Sequence, residues 1–529
     1  MALTPLDGLE TWSELDWLGL RDRLGAAGYD ARILADGEAV APGAIDALRL
    51  PLVQWRFAQR TDPAALLARL FAYDDVVSRH ELAAILSASL VDQLCEARVL
   101  VEARKGDVVE DAPDRAVAVT TNPHRAVTPR LPGDPAGGVR STFRLMPLEG
   151  LWILSDVLSG EPECVMGPGP TTLPLVRALD SARDPAPAGA GCSVLDVGCG
   201  AGTLALIAAA RGASCAVGVD LNPRAVGIAR LNAQLNGLAC EFLQGDLFAP
   251  VAGRTFERIV AQPPYVLRPP DVAHVTFLHG GATGEEFALR LLEEIPEHLT
   301  VEGRSLVFFD FPVLSRPPIH QRIRALLGVR AVDLAVLLGA GPSPDATSVG
   351  YASLQTGDLG ADYAETVVKY RAHLEQIGAR SFARALVLLR RRGVGAGFSI
   401  QVPARNFRAV TAAWLERWLD SLDLGASEEA SLLSAVIALP PGARWIQESA
   451  TADGGDPRHR VSFGGDSPLE EQELSDGAVA LLALLTGPMR VEALVRDFAL
   501  ACQATPDEVR EQVVEFVRES LGRGLIVSG

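Results

Sequence analysis

The chain has 529 residues, of which 48% are hydrophobic and 22% charged, with a formal net charge of −18. It is too long for one ordinary core, and length alone suggests three domains. No apolar run is long enough to span a bilayer, and an acidic surface repels phosphate backbones, which disfavours nucleic acid as a partner.

A local basic groove on an acidic protein still leaves a nucleic-acid partner open. The opening residues, Met1 to Asp7, lack a basic start and an apolar signal core, so a cytoplasmic location is the expectation. The cysteines Cys95, Cys164, Cys192, Cys199, Cys215, Cys240 and Cys502 form no Cys-x-x-Cys pair and have no histidine cluster beside them. Reduced thiols and no metal site follow.

In chain order, the stretch from about Leu9 to Val119 reads as mainly helical. Thr11 to Leu24 carries apolar residues at helical spacing. Ser78–Leu86 and Ser89–Leu94 are short amphipathic helices. With Val99–Arg104 and a second strand near Ala116 as a wing, they would make a winged helix-turn-helix; a plain helical packing domain is the alternative. Residues 120–145, rich in Pro, Gly and Arg, read as a connection. Trp152 and Met166 are expected near the cofactor or substrate, with core packing as the default. Pro185–Gly191 is a loop into the first core strand. From Ser193 to about Leu389 strands and helices alternate, the signature of a parallel sheet with helices on both faces. Within that stretch, Gly339–Asp345 is part of a lid or a plain loop, and Ser381–Leu389 is the final strand.

The third segment starts near Phe398. Arg444–Ser449 and His459–Phe463 flank a Gly/Asp-rich turn and predict a hairpin. Ala478–Leu485, Val491–Phe498 and Asp507–Ser520 are three helices, closed by Gly524–Val527.

Two motifs carry the chemistry. Val194 to Gly202 is a strand running into the turn Asp196-x-Gly198-x-Gly200-x-Gly202, with Cys199 inside it. Glycines let the backbone turn tightly and leave space for a ligand against the main chain. A second strand ends in Asp220, where a carboxylate would hold a ribose diol. A third ends in Asp246, placed to meet an adenine amino group. An ordinary Rossmann-like turn with capping aspartates is the plain structural alternative.

This region resembles the core of class I S-adenosylmethionine (SAM)-dependent methyltransferases. The resemblance implies that the Asp196–Gly202 turn wraps the methionine part. It also implies that Asp220 holds the ribose, that Leu221 and Asn222 lie beside the adenosine, and that Asp246 and Leu247 contact the adenine.

The second motif, Ala261-Gln-Pro-Pro-Tyr265, ends the fourth core strand. Its prolines stiffen the backbone and remove two amide donors. The Pro263 carbonyl and the Gln262 side-chain oxygen could both accept from one N–H2 group, and Tyr265 could lie against a planar acceptor. Such a site holds a delocalised nitrogen in line with the methyl donor and stabilises its developing charge.

The loop is similar to the Asn-Pro-Pro-Tyr motif of methyltransferases acting on planar nitrogen. The resemblance is nearest to the release-factor glutamine methyltransferases, through Pro168–Val176 upstream and His279–Phe287 downstream. This chain departs from that pattern at Gln262, one methylene longer than Asn, and at Gly169 and Thr171, where the family has Arg and Glu. His274 and His279 lie near this loop and are read as structural.

The C-terminal end resembles a PqqD-like winged helix. It carries 12 acidic against 5 basic residues from Asp466 onward, so peptide or protein contact, self-association or packing against the core is expected there.

The implied fold is α/β, with a Rossmann-like seven-stranded methyltransferase core over 146–395. A mainly helical domain precedes it over 1–145, and an α+β domain with a winged-helix-like end follows over 396–529. The expected activity is SAM-dependent methyl transfer to a planar nitrogen, amide or heteroaromatic, of a peptide, protein or small-molecule acceptor. Ribosomal RNA base N-methylation, O-methylation of a small metabolite and a non-catalytic SAM-binding scaffold are the alternatives.

Overall fold

A computed structural model of the chain describes residues 12, 15–36, 50–103, 121–122, 125–126, 138–179, 191–356, 361–395, 397–448 and 458–529. At its centre is an eight-stranded sheet. The strands are β1 (Ser193–Val197), β2 (Cys215–Asp220), β3 (Glu241–Gln244), β4 (Phe256–Ala261), β5 (Leu299–Val313), β6 (Val332–Ala340), β7 (Ser381–Arg391) and β8 (Ser399–Pro403). Across the sheet they run β3-β2-β1-β4-β5-β7-β6-β8.

Two expectations are corrected by this sheet. It is mixed rather than parallel, because β7 enters between β5 and β6 and runs antiparallel to both. It also has eight strands rather than seven, because Ser399–Pro403 adds in parallel to the free edge of β6. Those residues were assigned to the C-terminal segment, beyond the core.

Both faces of the sheet are buried. In β7, Ala383, Ala385, Val387 and Leu389 join one apolar layer, while Leu386 and Leu388 join the other. A strand covered on both sides reads as an unbroken apolar run, which is why the sequence shows its strands clearly.

The helices that frame the site are α1 (Thr203–Ala210), α2 (Pro223–Asn236), α3 (Glu286–His298), α4 (Pro344–Thr356) and α5 (Ala361–Gln376). The start of α2 follows from its sequence. Asn222 caps the Arg224 N–H, Pro223 takes the first turn, and Gly237 ends the helix at φ +64°. Helices α4 and α5 are an insertion between β6 and β7. The run Gly339–Asp345 thus splits between the end of β6 and the start of α4. The insertion packs Tyr351, Tyr370 and Leu374, together with Phe382 of β7, against Val266, Leu267, Val275 and Leu278, the segment just after the fourth strand.

The N-terminal part contains the helices Trp17–Ala26, Pro63–Phe71, Arg79–Leu86 and Ala88–Glu96. Leu100–Glu102 pairs with Gly138–Ser141, which also pairs with Val77–Ser78. The partner strand therefore comes from the stretch read as a connection; the strand expected near Ala116 and most of the loop at 185–191 lie outside the described residues. A hairpin of Phe143–Leu148 and Leu151–Asp156 follows and crosses the expected division at 145.

This hairpin docks on α2 through two asparagines one turn apart. Asn232 Oδ1 accepts from Leu154 N at 2.7 Å and its Nδ2 donates to Leu154 O at 2.8 Å. Asn236 does the same with Trp152, at 2.9 and 2.8 Å. The i,i+4 spacing on the helix matches the i,i+2 spacing on the strand edge, so two carboxamides satisfy four buried backbone groups. Beside them, Arg224 donates to Asp156 at 2.8 Å in an ion pair whose side chains are each 2% exposed.

In the C-terminal part, Arg444–Glu448 pairs with Arg458–Ser462 as the predicted hairpin; the tip of its turn, 449–457, lies outside the described residues. The three expected helices are Asp476–Leu484, Val491–Cys502 and Pro506–Arg523. A further helix, Ala412–Ala426, joins this part to the sheet: its Asp423 pairs with Arg390 of β7, which also pairs with Asp333 of β6 at 2.7 Å. Among the described residues no helix is long and apolar enough to cross a membrane.

Candidate active site

A cavity opens at the carboxyl ends of β1, β2 and β4, where strand order reverses on either side of β1. In open α/β sheets this reversal leaves a crevice between diverging loops. One end is built by the glycine turn. Gly198, Gly200 and Gly202 sit at φ +71°, +52° and +81°, where side chains are strained. Their roles differ. A Cβ on Gly198 would meet no atom within 4 Å, so this position keeps main chain open to the cavity. A Cβ on Gly202 would lie 2.9 Å from Ala229 Cβ and the Phe242 ring, so that glycine serves the packing of α1 on the sheet.

Asp220 orders this turn from the next strand. Its carboxylate accepts from Gly200 N at 2.8 Å and from Asn222 N at 2.9 Å, and burial raises its pKa. Two carboxylate oxygens offer about four acceptor sites, so capacity remains for a pair of hydroxyls. Leu221 follows with 56% of its surface exposed, an apolar platform at the cavity wall. Asp196 is 2% exposed and accepts from Ala205 N at 3.2 Å. Burial, reinforced by the charge of Asp220, pushes its pKa up to about 7.

The other end of the cavity is built by Gln262, Pro263, Pro264 and Tyr265. Gln262 is clamped: Thr172 Oγ1 donates to its Oε1 at 2.8 Å, and its Nε2 donates to Thr171 Oγ1 at 2.5 Å. The Pro263 carbonyl accepts no hydrogen bond from the described residues. Burial pushes the Tyr265 phenol up to about 12, so it is neutral at ordinary pH.

The downstream glycine segment holds this loop from behind. Val266–Leu267 pairs in parallel with His279–Gly281. A Cβ on Gly280 would lie 2.3 Å from Pro264 O, and one on Gly284 would lie 2.3 Å from Tyr265 O. The Gly-Gly-x-x-Gly spacing is thus a close backbone contact with the Gln262–Tyr265 loop. His279 completes it: Nδ1 accepts from Val275 N, so Nε2 carries the proton and donates to Tyr370 Oη at 3.0 Å. Burial lowers its pKa to about 4, which keeps it neutral and structural.

Between the two ends lie Cys164, Val165 and Met166 from above, and Phe277, Leu278, Phe287, Tyr351 and Leu354 around the acceptor side. Among the described residues Asp196 and Asp220 are the acidic side chains of this lining, both at the glycine-turn end.

The structure therefore brings together Asp196, Gly198, Cys199, Gly200, Asp220, Leu221, Asn222, Gln262, Pro263 and Tyr265. It places Gly202 behind the turn. Asp246 and Leu247 are outside the cavity lining: Asp246 pairs with Arg290 at 2.6 Å, and Leu247 is buried in the core at φ +47°. Met166 lines the cavity, whereas Trp152 instead donates to Tyr29 O at 2.8 Å in the N-terminal part. Sequence reasoning missed the clamping role of Thr171 and Thr172. It also missed Tyr351 and Leu354, which stand on a helix rich in Ser and Thr between the last two strands of the expected core.

Comparison with known proteins fits this geometry. Residues 172–309 match the Methyltransferase small domain family. Over 114 residues the chain is 38% identical to a Methanocaldococcus jannaschii protein provisionally named a protein N5-glutamine methyltransferase, covering 21% of this chain and 57% of that one. It is 37% identical over 126 residues to the release factor glutamine methyltransferase of Deinococcus radiodurans, covering 22% and 45%. It is 46% identical over 87 residues to the ribosomal protein L11 methyltransferase of Dechloromonas aromatica, covering 16% and 29%. The chain thus spans 57% or less of the length of these relatives. The matched stretch is similar to the methyltransferase domains of this family.

Proposed function

We propose that this chain transfers the methyl group of SAM to the side-chain amide nitrogen of a glutamine in a protein or peptide. The supporting observation is the catalytic end of the cavity: two carbonyl oxygens, Gln262 Oε1 and Pro263 O, on one stiff loop beside a neutral phenol. The cavity suits SAM: open main chain at Gly198, spare acceptor capacity on Asp220 and an exposed Leu221 fit a turn-bound methionine, a ribose diol and an apolar base.

SAM supplies an electrophilic methyl group. The chain's own residues do the rest. A carboxamide nitrogen is a poor nucleophile because its lone pair is delocalised. Two acceptors on its N–H bonds fix its direction and favour the positive charge that grows on it as it is methylated; one of those N–H protons then passes to solvent, which leaves the neutral N-methyl amide. Carbonyl acceptors of this kind are worth more in a site from which water is excluded.

Among the described residues the acceptor side presents Tyr265, Phe277, Phe287, Tyr351 and Leu354 and no charged side chain, which supports a neutral planar acceptor. The relatives' names point to glutamine amides of release factors and to ribosomal proteins as acceptors of those proteins. The test is methyl transfer from labelled SAM to glutamine-containing peptides, with the label located by tandem mass spectrometry. Label on the side-chain nitrogen supports the reading; label on an oxygen overturns it.

A further inference from the structure

The catalytic loop of this chain carries glutamine where similar loops carry asparagine, so its acceptor group hangs on one more rotatable bond. A group that must meet a reacting nitrogen within a fraction of an ångström cannot be left on a free rotor. The structure supplies the missing constraint from a separate segment, the Gly169–Thr172 turn ahead of the helix Leu173–Ala178.

Hydrogen-bond directions in that turn are determined from the backbone outward. Gly169 N donates to Thr172 Oγ1 at 3.1 Å, so the Thr172 hydroxyl hydrogen is free to point elsewhere. It points at Gln262 Oε1, 2.8 Å away. With Oε1 accepting there, the Nε2 end of the amide donates to Thr171 Oγ1 at 2.5 Å. The Thr171 hydroxyl also stands close enough to Tyr265 to favour its phenolate slightly. Thr172 is 7% exposed, so its end of the clamp is shielded from competing water.

We propose that Thr171 and Thr172 are positioning residues that lock the Gln262 carboxamide so that one lone pair of Oε1 remains aimed at the acceptor nitrogen. The pair takes the place of the shorter side chain: the extra methylene of Gln262 is spanned by a two-point clamp. The glutamic acid expected at position 171 by family resemblance would carry a charge and a longer side chain there, so Thr171 and Gln262 belong together. This rests on the acceptor role given to Gln262 above.

The test uses the full chain saturated with SAM, labelled with 15N in glutamine side chains. The Gln262 signal is assigned by its loss in Gln262→Asn. In the unmodified chain its amide protons exchange slowly and give two separate resonances. In Thr171→Val/Thr172→Val exchange accelerates at least tenfold while SAM affinity, by calorimetry, stays within twofold. Thr171→Ser/Thr172→Ser, which keeps both hydroxyls, restores protection and serves if the valine pair fails to fold. Unchanged protection in the valine variant overturns the proposal.

Turnover on N-acetyl-glutamine methylamide, or on a glutamine peptide that the unmodified chain methylates, gives the second readout. With valines kcat falls about tenfold to a hundredfold with little change in KM for SAM. An unmodified chain that methylates no carboxamide refutes the functional reading, and the exchange measurement still decides the clamp.

Discussion

Asp196 is predicted to make SAM binding a proton-linked event. Its carboxyl is buried at the end of β1 and pushed up to about 7, first by burial and then by the neighbouring charge of Asp220. In the free protein it holds its proton until near neutrality; in the unfolded chain it releases it near pH 4. The sign follows. Its contribution to the stability of the free protein is fully present below about pH 4 and is lost as pH rises through about 7.

SAM is expected to reverse the preference, because its cationic methionine end, bound as proposed along the glycine turn, would favour the Asp196 carboxylate. If only the ionised form binds, the apparent Kd scales as one plus ten to the power of the folded pKa minus pH. Between pH 8 and pH 6 that weakens binding by about tenfold, with about 0.9 proton released per SAM at pH 6. Calorimetry in two buffers of different ionisation enthalpy measures both quantities. Tyr265, near 12, and His279, near 4, do not titrate in this window. Asp220 also has a raised pKa and shares the site, so the two acids titrate as a pair. Asp196→Asn is expected to flatten the profile. A Kd that is constant from pH 6 to pH 8 without proton release would refute the reasoning.

Other outcomes follow from the packing. Gly284→Ala forces a Cβ to within 2.3 Å of Tyr265 O at φ +86°. It is expected to lower kcat about a hundredfold by shifting the catalytic loop, with SAM affinity preserved. Gly350→Ala on α4, whose Cβ meets nothing within 4 Å, is the control and should be neutral or stabilising by about 0.5–1 kcal/mol. Asn232→Ala leaves Leu154 N, Leu154 O and Ala201 O without their partner. Urea denaturation should show a loss of roughly 2–5 kcal/mol. Because Ala201 belongs to the glycine turn, SAM affinity should fall as well; Asn236→Ala, which touches only the hairpin and its own helix, should cost stability alone.

The parts of the site that could be read from sequence are those made locally. Gly198, Gly200 and Asp220 act through the geometry of one turn and one strand end, so their spacing reveals them. The prolines after Gln262 and the glycines at 280 and 284 were visible as motifs. Their relation was not, because backbone contact between two segments leaves no spacing signature. Asp246 was expected at the adenine on the pattern of β3; its partner Arg290 lies 44 residues on, in α3, and nothing in either segment announces the pair. Tyr351 and Leu354 come from an insertion whose placement over the cavity depends on the Tyr370 and Phe382 contacts. The eighth strand, Ser399–Pro403, is short and only partly buried, so it lacks the apolar run that revealed β7. The N-terminal sheet was only half legible because Leu100–Glu102 finds its partner across a long stretch rich in Pro and Gly.

The most direct test of the account is the fate of the methyl group. The full chain is incubated with trideuteromethyl-SAM and glutamine-containing peptides, and the products are fragmented by mass spectrometry. The account predicts label on the glutamine side-chain nitrogen, lost in Gln262→Ala while SAM still binds. Label on a carboxyl or hydroxyl oxygen, or transfer that survives Gln262→Ala undiminished, would contradict it.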